Sequence, residues 1–450
     1  MDKVREIALK VLYDIEKKES YSNIALDDTL KQVRKKSEKI DQRDISFISE
    51  IVYGTISWKL TIDEVIKKYS NLKIKKISPW ILNILRMSIY QILFLDKVPK
   101  SAAVNEGVNL AKRYGHKASS NFVNAILRKV DKKDYEEFFI IKDEAERISK
   151  TTSMPLWIVK QLLKQNRMEK VEQICQASNL RPKLYIRVNT LKTDEQSLVK
   201  ELGKEGIQVE KGELENFLVL QGAKNIESLK VFQEGKFTVQ DEMAGYIPKF
   251  LNPKPNEKIL DACSSPGGKT TYMAQLMDNQ GEIKAWDLHE HRVKLVNQVA
   301  NRLGITIIQT EVKDATIYEQ KYYNYFDKIL LDVPCLGIGV VKRKPDIKWK
   351  RKEEDIEEIT KIQEEILENC SKYLKQGGEL VYSTCSILRE ENEDIIYKFI
   401  KNNPNYTIDE IHNIKEKFLE EFVQKEKFIQ VFQNEKTDGF FICKIRKKRC

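Results

Sequence analysis

Lys258-Ile259-Leu260-Asp261, followed by Ala262-Cys263-Ser264-Ser265-Pro266-Gly267-Gly268-Lys269-Thr270, reads as a short strand, a glycine-bearing loop and the opening turn of a helix. The same order recurs through the rest of the chain. Candidate strands at Ile283–Asp287, Thr306–Thr310, Lys328–Asp332 and Leu380–Thr384 are separated by helical stretches that include Thr270–Met277, Arg292–Leu303 and Glu354–Leu374. Alternation on this scale predicts an α/β fold with a doubly wound, mostly parallel sheet and helices on both faces. Phe428–Phe432 and Gly439–Ile445 predict an antiparallel hairpin closing the sheet edge. This domain is expected to span 236–450.

The texture differs upstream. Over 1–135 the apolar positions follow helical spacing, as at Ala8, Val11, Leu12 and Ile15 and again at Ile48, Ile51, Val52 and Thr55. Around Ile81, Leu82, Leu85, Ile89, Ile92 and Leu93 they nearly encircle the axis, which predicts a central buried helix in an all-α domain. Residues 136–178 stay charged and helical in period (Ile158, Leu162, Leu163), as expected of a helical connector. Between 179 and 235, Leu184–Asn189 alternates like a half-buried strand, and short strands mix with Gly-bearing turns, predicting a small α+β insert.

A length of 450 residues predicts two to four domains, and 41% hydrophobic with 9% aromatic residues excludes a disordered or fibrous chain. The net charge of +10 is uneven: residues 1–130 carry 25 basic and 15 acidic side chains, and the remainder carries 53 of each. A basic N-terminal unit suggests a polyanionic partner, nucleic acid first among them. Seven cysteines without C-x-x-C pairs or His clusters fit neither a disulfide framework nor a zinc site. No signal peptide or apolar run long enough to span a membrane is evident, so a reducing cytoplasm, no membrane and no metal are the expectations.

In an open α/β sheet the ligand sits beyond the carboxyl ends of the strands. Gly267 and Gly268 let backbone approach a ligand there, and the helix start adds amide donors. The loop is neither G-x-x-x-x-G-K-[ST] nor G-x-G-x-x-G, which argues against a nucleoside triphosphate. Asp287 ends the second strand, where an acid binds ribose hydroxyls, and Asp314 follows the third; together with the glycine pair they favour an adenosine-type ligand. Cys335 follows the fourth strand in Asp332-Val333-Pro334-Cys335, and Cys385 follows the fifth in Ser383-Thr384-Cys385-Ser386. Cys175, Cys370 and Cys443 read as inert core residues and Cys450 as incidental. A thiol at a strand's carboxyl end faces the crevice instead, where a helix terminus or Lys269 favours the reactive thiolate.

DACSSPGGKT (261–270), DVPCLGIGVVKRKPDIKW (332–349) and YSTCSI (382–387) together resemble the RNA cytosine-5 methyltransferases that use S-adenosylmethionine. REIALKVLYDI (5–15) and VPKSAAVNEGVNLAKRYGHKASSNFVNAILRKV (98–130) resemble the NusB-like RNA-binding fold. The combination, over essentially the whole chain, is similar to the bacterial 16S ribosomal RNA cytosine-5 methyltransferases of the Sun/Fmu type. Departures are small: the family commonly has Ala and Ser where this chain has Val333 and Leu336, and two alanines at Ser264 and Ser265. None removes a reacting group.

The resemblance implies a Rossmann-like methyltransferase sheet. It implies cofactor contacts from Cys263, Ser264, Ser265, Pro266, Gly267, Gly268 and Lys269 with Asp287, Asp314 and Asp332. Residue types alone leave both thiols open as the attacking group, since in the DNA counterparts the Pro-Cys thiol attacks; the resemblance implies Cys385 as nucleophile and Cys335 as the group assisting release. Asp332, beside the reacting ring, would hold or protonate ring nitrogen 3. The implied partner is 16S ribosomal RNA; a monomer is expected separately, because no sustained heptad or conspicuous apolar edge appears in the sequence. A transfer RNA substrate, or a non-catalytic RNA-binding or antitermination role, are the alternatives. Arg187, Lys342, Arg343, Lys344 and the run Lys444, Arg446, Lys447, Lys448 and Arg449 are candidate phosphate contacts. Trp349 and Tyr382 are candidate stacking platforms, with core packing the stronger expectation.

Overall fold

The computed structural model describes residues 2–18, 20–35, 40–223, 225–409, 417–424 and 427–449; Cys450 lies outside them. Contacts divide the chain into two compact units. One comprises Met1–Leu180 with Val341–Lys352, and the other Arg181–Val340 with Glu353–Cys450.

The first unit is helical. Its axis is the helix Pro79–Phe94, with every residue from Ile81 to Leu93 buried. Pro79 opens that helix, where its missing N–H costs nothing. Burial of side chains such as Ile84, Leu85 and Ile89 contributes about 1.5–3 kcal/mol each. The polar members of this helix are paired: Arg86 forks onto Asp63 at 2.7 and 2.8 Å, and Asn83 Nδ2 donates to Glu16 at 2.6 Å. The segment Val341–Lys352 packs into the same unit. Trp349 Nε1 donates to Ile56 O at 2.7 Å, and Asp346 accepts from the backbone N–H and the hydroxyl of Ser22. Lys348 is buried, its ammonium donating to Asn179 Oδ1 at 2.7 Å, and burial lowers its pKa to about 7. Trp349 is therefore a packing residue here, partly buried against the helical core.

The second unit holds two sheets. The smaller pairs β1 (Leu184–Val188), β2 (Gln208–Lys211), β3 (Phe217–Gln221) and β4 (Phe237–Val239) in the antiparallel order β2-β3-β1-β4. The larger contains β5 (Lys258–Asp261), β6 (Glu282–Asp287), β7 (Ile308–Val312), β8 (Phe326–Asp332), β9 (Leu374–Thr384), β10 (Tyr406–Ile408), β11 (Val423–Gln424), β12 (Phe428–Val431) and β13 (Phe440–Lys447). Its order is β11-β12-β13-β9-β8-β5-β6-β7, with β10 beside β13. The pairs among β5 to β9 are parallel and those of β10 to β13 antiparallel. The sheet is thus the doubly wound one expected, with its C-terminal strands added beyond β9. Chain order reverses at β5 and β8, which opens a crevice over their carboxyl ends.

Two boundaries moved. The strand expected at Thr306–Thr310 runs from Ile308 to Val312, because the Thr306 N–H is taken by the Asn279 side chain at 3.0 Å. The fifth parallel strand starts at Leu374 rather than Leu380, across a Gly377-Gly378 irregularity with Gly377 at φ +77°. Among the described residues, no helix is long and apolar enough to cross a membrane.

Candidate active site

The glycine loop is shaped by close packing. Gly267 sits at φ +100°, and a Cβ there would lie 3.1 Å from Val296 Cα, so only glycine fits this turn. The loop is pinned to β6 by Ser264, whose N–H and hydroxyl both donate to Trp286 O, at 2.8 and 2.9 Å. From below, Arg187 of β1 donates to Gly268 O at 2.8 Å and Thr271 Oγ1 at 3.1 Å, and lies over the Tyr272 ring at 4.6 Å. Arg187 is fully buried, and burial lowers its pKa to about 9. The expectation that it meets phosphate is therefore corrected: its guanidinium faces inward and fixes the loop.

The strand-end acids gather over one edge of the sheet. Asp287 is buried, accepting from His289 N at 3.3 Å with Arg292 Nε at 3.5 Å. Asp314 holds the turn after β7 through Thr316 N and Oγ1, at 2.9 and 2.7 Å. Asp261 accepts from Thr270 Oγ1 at 2.7 Å, while its Oδ1 is buried without a partner. Burial, opposed by the Thr270 hydrogen bond and reinforced by the Asp332 charge, raises the Asp261 carboxyl to about 7.

At the ends of β8 and β9 the two thiols meet. Cys335 Sγ and Cys385 Sγ lie 2.9 Å apart, and both cysteines are partly exposed. Cys175, Cys370 and Cys443 are buried in hydrophobic surroundings, as expected of core cysteines. The hydrogen bond to Cys385, followed by burial, holds the Cys335 thiol well above its ordinary pKa, so Cys335 keeps its proton. Asp332 stands beside the pair, accepting from Lys269 Nζ at 2.6 Å and Ser383 Oγ at 2.9 Å. Burial opposes the Lys269 charge, yet Asp332 outweighs it and carries the ammonium above its usual value.

Glu391 and Asn392 were not marked by the sequence reading. The Glu391 carboxylate is wholly buried and accepts from Leu336 N at 2.9 Å, Gln363 Nε2 at 3.1 Å and the Ser386 hydroxyl. It thus ties the residue after Cys335 to the residue after Cys385. Asn392 accepts from Thr384 Oγ1 at 2.6 Å and donates to Ser386 O at 3.1 Å. Backbones close behind them: Gly339 N donates to Cys385 O at 2.9 Å, and a Cβ on Gly339 would sit 2.7 Å from that oxygen. Only the acidic run 390–393 signals these residues in sequence, and such a run ordinarily marks a solvated helix start. Glu391→Ala is expected to lower turnover by about 100-fold through misplaced thiols, with cofactor affinity kept. Single-turnover rates and cofactor titration measure this.

The predicted phosphate contacts fare unevenly. Lys342 is buried, and Lys447 is buried with its ammonium on Asn324 Oδ1 and Leu374 O. Arg446 forks onto Asp409 and reaches Glu379 at 2.7 Å, and Lys448 donates to Pro404 O at 2.7 Å. The C-terminal run therefore holds strands together rather than forming a phosphate-binding patch. Tyr382 is a core residue, its hydroxyl on Glu391 O at 2.8 Å. Among the described residues no group of three or more His, Cys, Asp or Glu is placed to hold a metal ion.

The sheet with this glycine loop, on one chain with the N-terminal helical domain, is the combination of an RNA methyltransferase domain and a NusB-family domain, as the family matches show. Residues 248–446 match the 16S rRNA methyltransferase RsmB/F family, 2–132 the NusB family and 154–227 the RsmF/B-like ferredoxin-like domain. A Bacillus subtilis (strain 168) protein described as a probable ribosomal RNA small subunit methyltransferase B is 39% identical over 450 residues, 99% of each chain. The ribosomal RNA small subunit methyltransferase B of Shewanella oneidensis (strain MR-1) is 31% identical over 409 residues, 90% of this chain and 91% of that one. The crystal structure of PH0851 covers 99% of both chains with a TM-score of 0.81 at 26% identity. The chain belongs to the RsmB/F family of 16S rRNA methyltransferases.

Proposed function

We propose that this chain transfers a methyl group from S-adenosylmethionine to carbon 5 of a cytosine in 16S ribosomal RNA, through a covalent bond between Cys385 and the base. The observation that carries the reading is the sulfur pair, 2.9 Å apart at neighbouring strand ends beside Asp332. Residues 263–269, Asp287, Asp314 and Asp332 would hold the cofactor. The fit rests on acceptors along one sheet edge, the unpartnered buried Oδ1 of Asp261 and a loop that only glycine can form. When bound, the cofactor supplies a methyl group already activated by its positive sulfur.

Carbon 5 of cytosine is a weak nucleophile until a thiolate adds to carbon 6 and turns the ring into an enamine. In this reading Cys335 is the protonated member of the pair, 2.9 Å away, and Cys385, as thiolate, is the sulfur that attacks. Asp332, fixed by Lys269 and Ser383, accepts a hydrogen bond from ring nitrogen 3 in its protonated form, so that the negative charge delivered by the thiolate is neutralised there. Once Cys385 is bonded to carbon, the leading cause of the raised Cys335 pKa is gone. Cys335, which is partly exposed, then gives its proton to solvent and, as thiolate, takes the one on carbon 5, so that one proton leaves for each methyl group transferred. The bond from carbon 6 to Cys385 breaks and restores the starting pair. The target base must leave its stack to reach this crevice, which favours an accessible loop over a paired stem.

Bisulfite sequencing of total RNA from cells lacking the gene tests the assignment. The expected result is loss of one protected cytosine in 16S ribosomal RNA. Loss in transfer RNA instead would move the substrate, and no loss would remove the enzymatic reading.

A further inference from the structure

The first unit contains a cavity of about 640 Å³, lined in part by Thr55, Lys59, Arg86, Lys350, Arg351 and Lys352. Every lining residue belongs to that unit, three of these six coming from the segment Val341–Lys352.

Its carboxylates are already occupied. Glu16 is held by Asn83 Nδ2 at 2.6 Å with Arg86 Nη1 at 3.5 Å, and Asp346 by Ser22, while Arg86 itself forks onto Asp63, which does not line the cavity. Lys59 is the exception on the cationic side. Its ammonium has the Trp349 ring at 5.5 Å but no carboxylate or hydrogen-bond acceptor among the described residues. Burial, with the Arg86 charge second, lowers its pKa. Near the end of the preceding helix, Thr55 is 2% exposed and its Oγ1 has no hydrogen-bond partner. A half-buried cation without an acceptor and a buried hydroxyl without a partner are costly unless an anion completes them, and Lys350, Arg351 and Lys352 add positive charge at the same cavity.

We propose that this cavity is a phosphate subsite for RNA: Lys59 and the Thr55 hydroxyl take one backbone phosphate, and Lys350, Arg351 and Lys352 guide the strand toward it. The inference rests on the proposed function only in taking RNA as the macromolecule; the thiol chemistry does not enter it. The lysines and arginine that surround the phosphate lie 15 to 17 residues beyond Cys335 on the same chain, so one continuous segment would carry both a reacting thiol and an RNA anchor.

The test is equilibrium binding of the full chain to naked small-subunit ribosomal RNA across a salt series. For Lys59→Met the expected result is a slope of log affinity against log salt smaller by about one, and binding about eightfold weaker at 0.1 M salt. Lys59→Arg should restore the slope. Thr55→Val, which keeps shape and charge, should weaken binding a few-fold with the slope unchanged. The melting temperature of Lys59→Met without RNA should equal or exceed the parent's, because an uncompensated charge has been removed; this separates lost contact from lost fold. An unchanged affinity and slope in Lys59→Met would overturn the inference while leaving RNA binding itself intact. A parent chain that does not bind the RNA at all would overturn both. Millimolar inorganic phosphate that raises the parent's melting temperature but not that of Lys59→Met, with the RNA slope unchanged, would assign the cavity to a free anion instead and also overturn it.

Discussion

Cys385→Ala is expected to lower methylation by about 10,000-fold or more and to eliminate covalent capture of RNA. The size follows from the chemistry. Without a sulfur adding at carbon 6 the ring has no enamine form, so carbon 5 stays a poor nucleophile however well the substrates are placed. The change removes one partly exposed sulfur, and the strand-end backbone is held independently through Cys385 O and Gly339 N. Fold and cofactor binding should therefore survive, and cofactor titration should match the parent. A variant that kept even a hundredth of the parent rate would show that Cys385 is not the attacking group.

Cys335→Ala is expected to do something different: turnover falls by about 100- to 10,000-fold while a covalent enzyme–RNA adduct accumulates and survives a denaturing gel. Cys385 still adds to the base, but nothing remains in place to take the proton from carbon 5, so the sulfur cannot leave. The opposite phenotypes of two thiols 2.9 Å apart separate attack from release more cleanly than either loss of rate alone. The double variant Cys335→Ala, Cys385→Ala should give no adduct.

The alternation of strand and helix after Lys258 was legible because the parallel strands are short, apolar and bounded by glycine or acidic turns. The same pattern placed Asp287, Asp314, Asp332, Cys335 and Cys385 at carboxyl ends of strands, since position along a strand is a local property. What failed to show was long-range. Arg187 looks in sequence like any surface arginine; its burial under Gly268 depends on β1 packing beneath a loop 81 residues away. Lys348 and Trp349 sit within the catalytic stretch of sequence yet pack with helices near Ile56 and Asn179. Glu391 reads as one of six polar residues in a row, 389–394, and only the approach of two loops turns it into a buried clamp. The basic C-terminal run misled for the same reason, since β13 buries or pairs its cations against neighbouring strands.

The most direct measurement is mass spectrometry of the adduct formed by Cys335→Ala with small-subunit ribosomal RNA and S-adenosylmethionine, after digestion of both protein and RNA. The expected product is a methylated cytosine nucleotide attached to the peptide that contains Cys385. A nucleotide on any other residue, or a parent enzyme whose adduct is carried by Cys335, would contradict it.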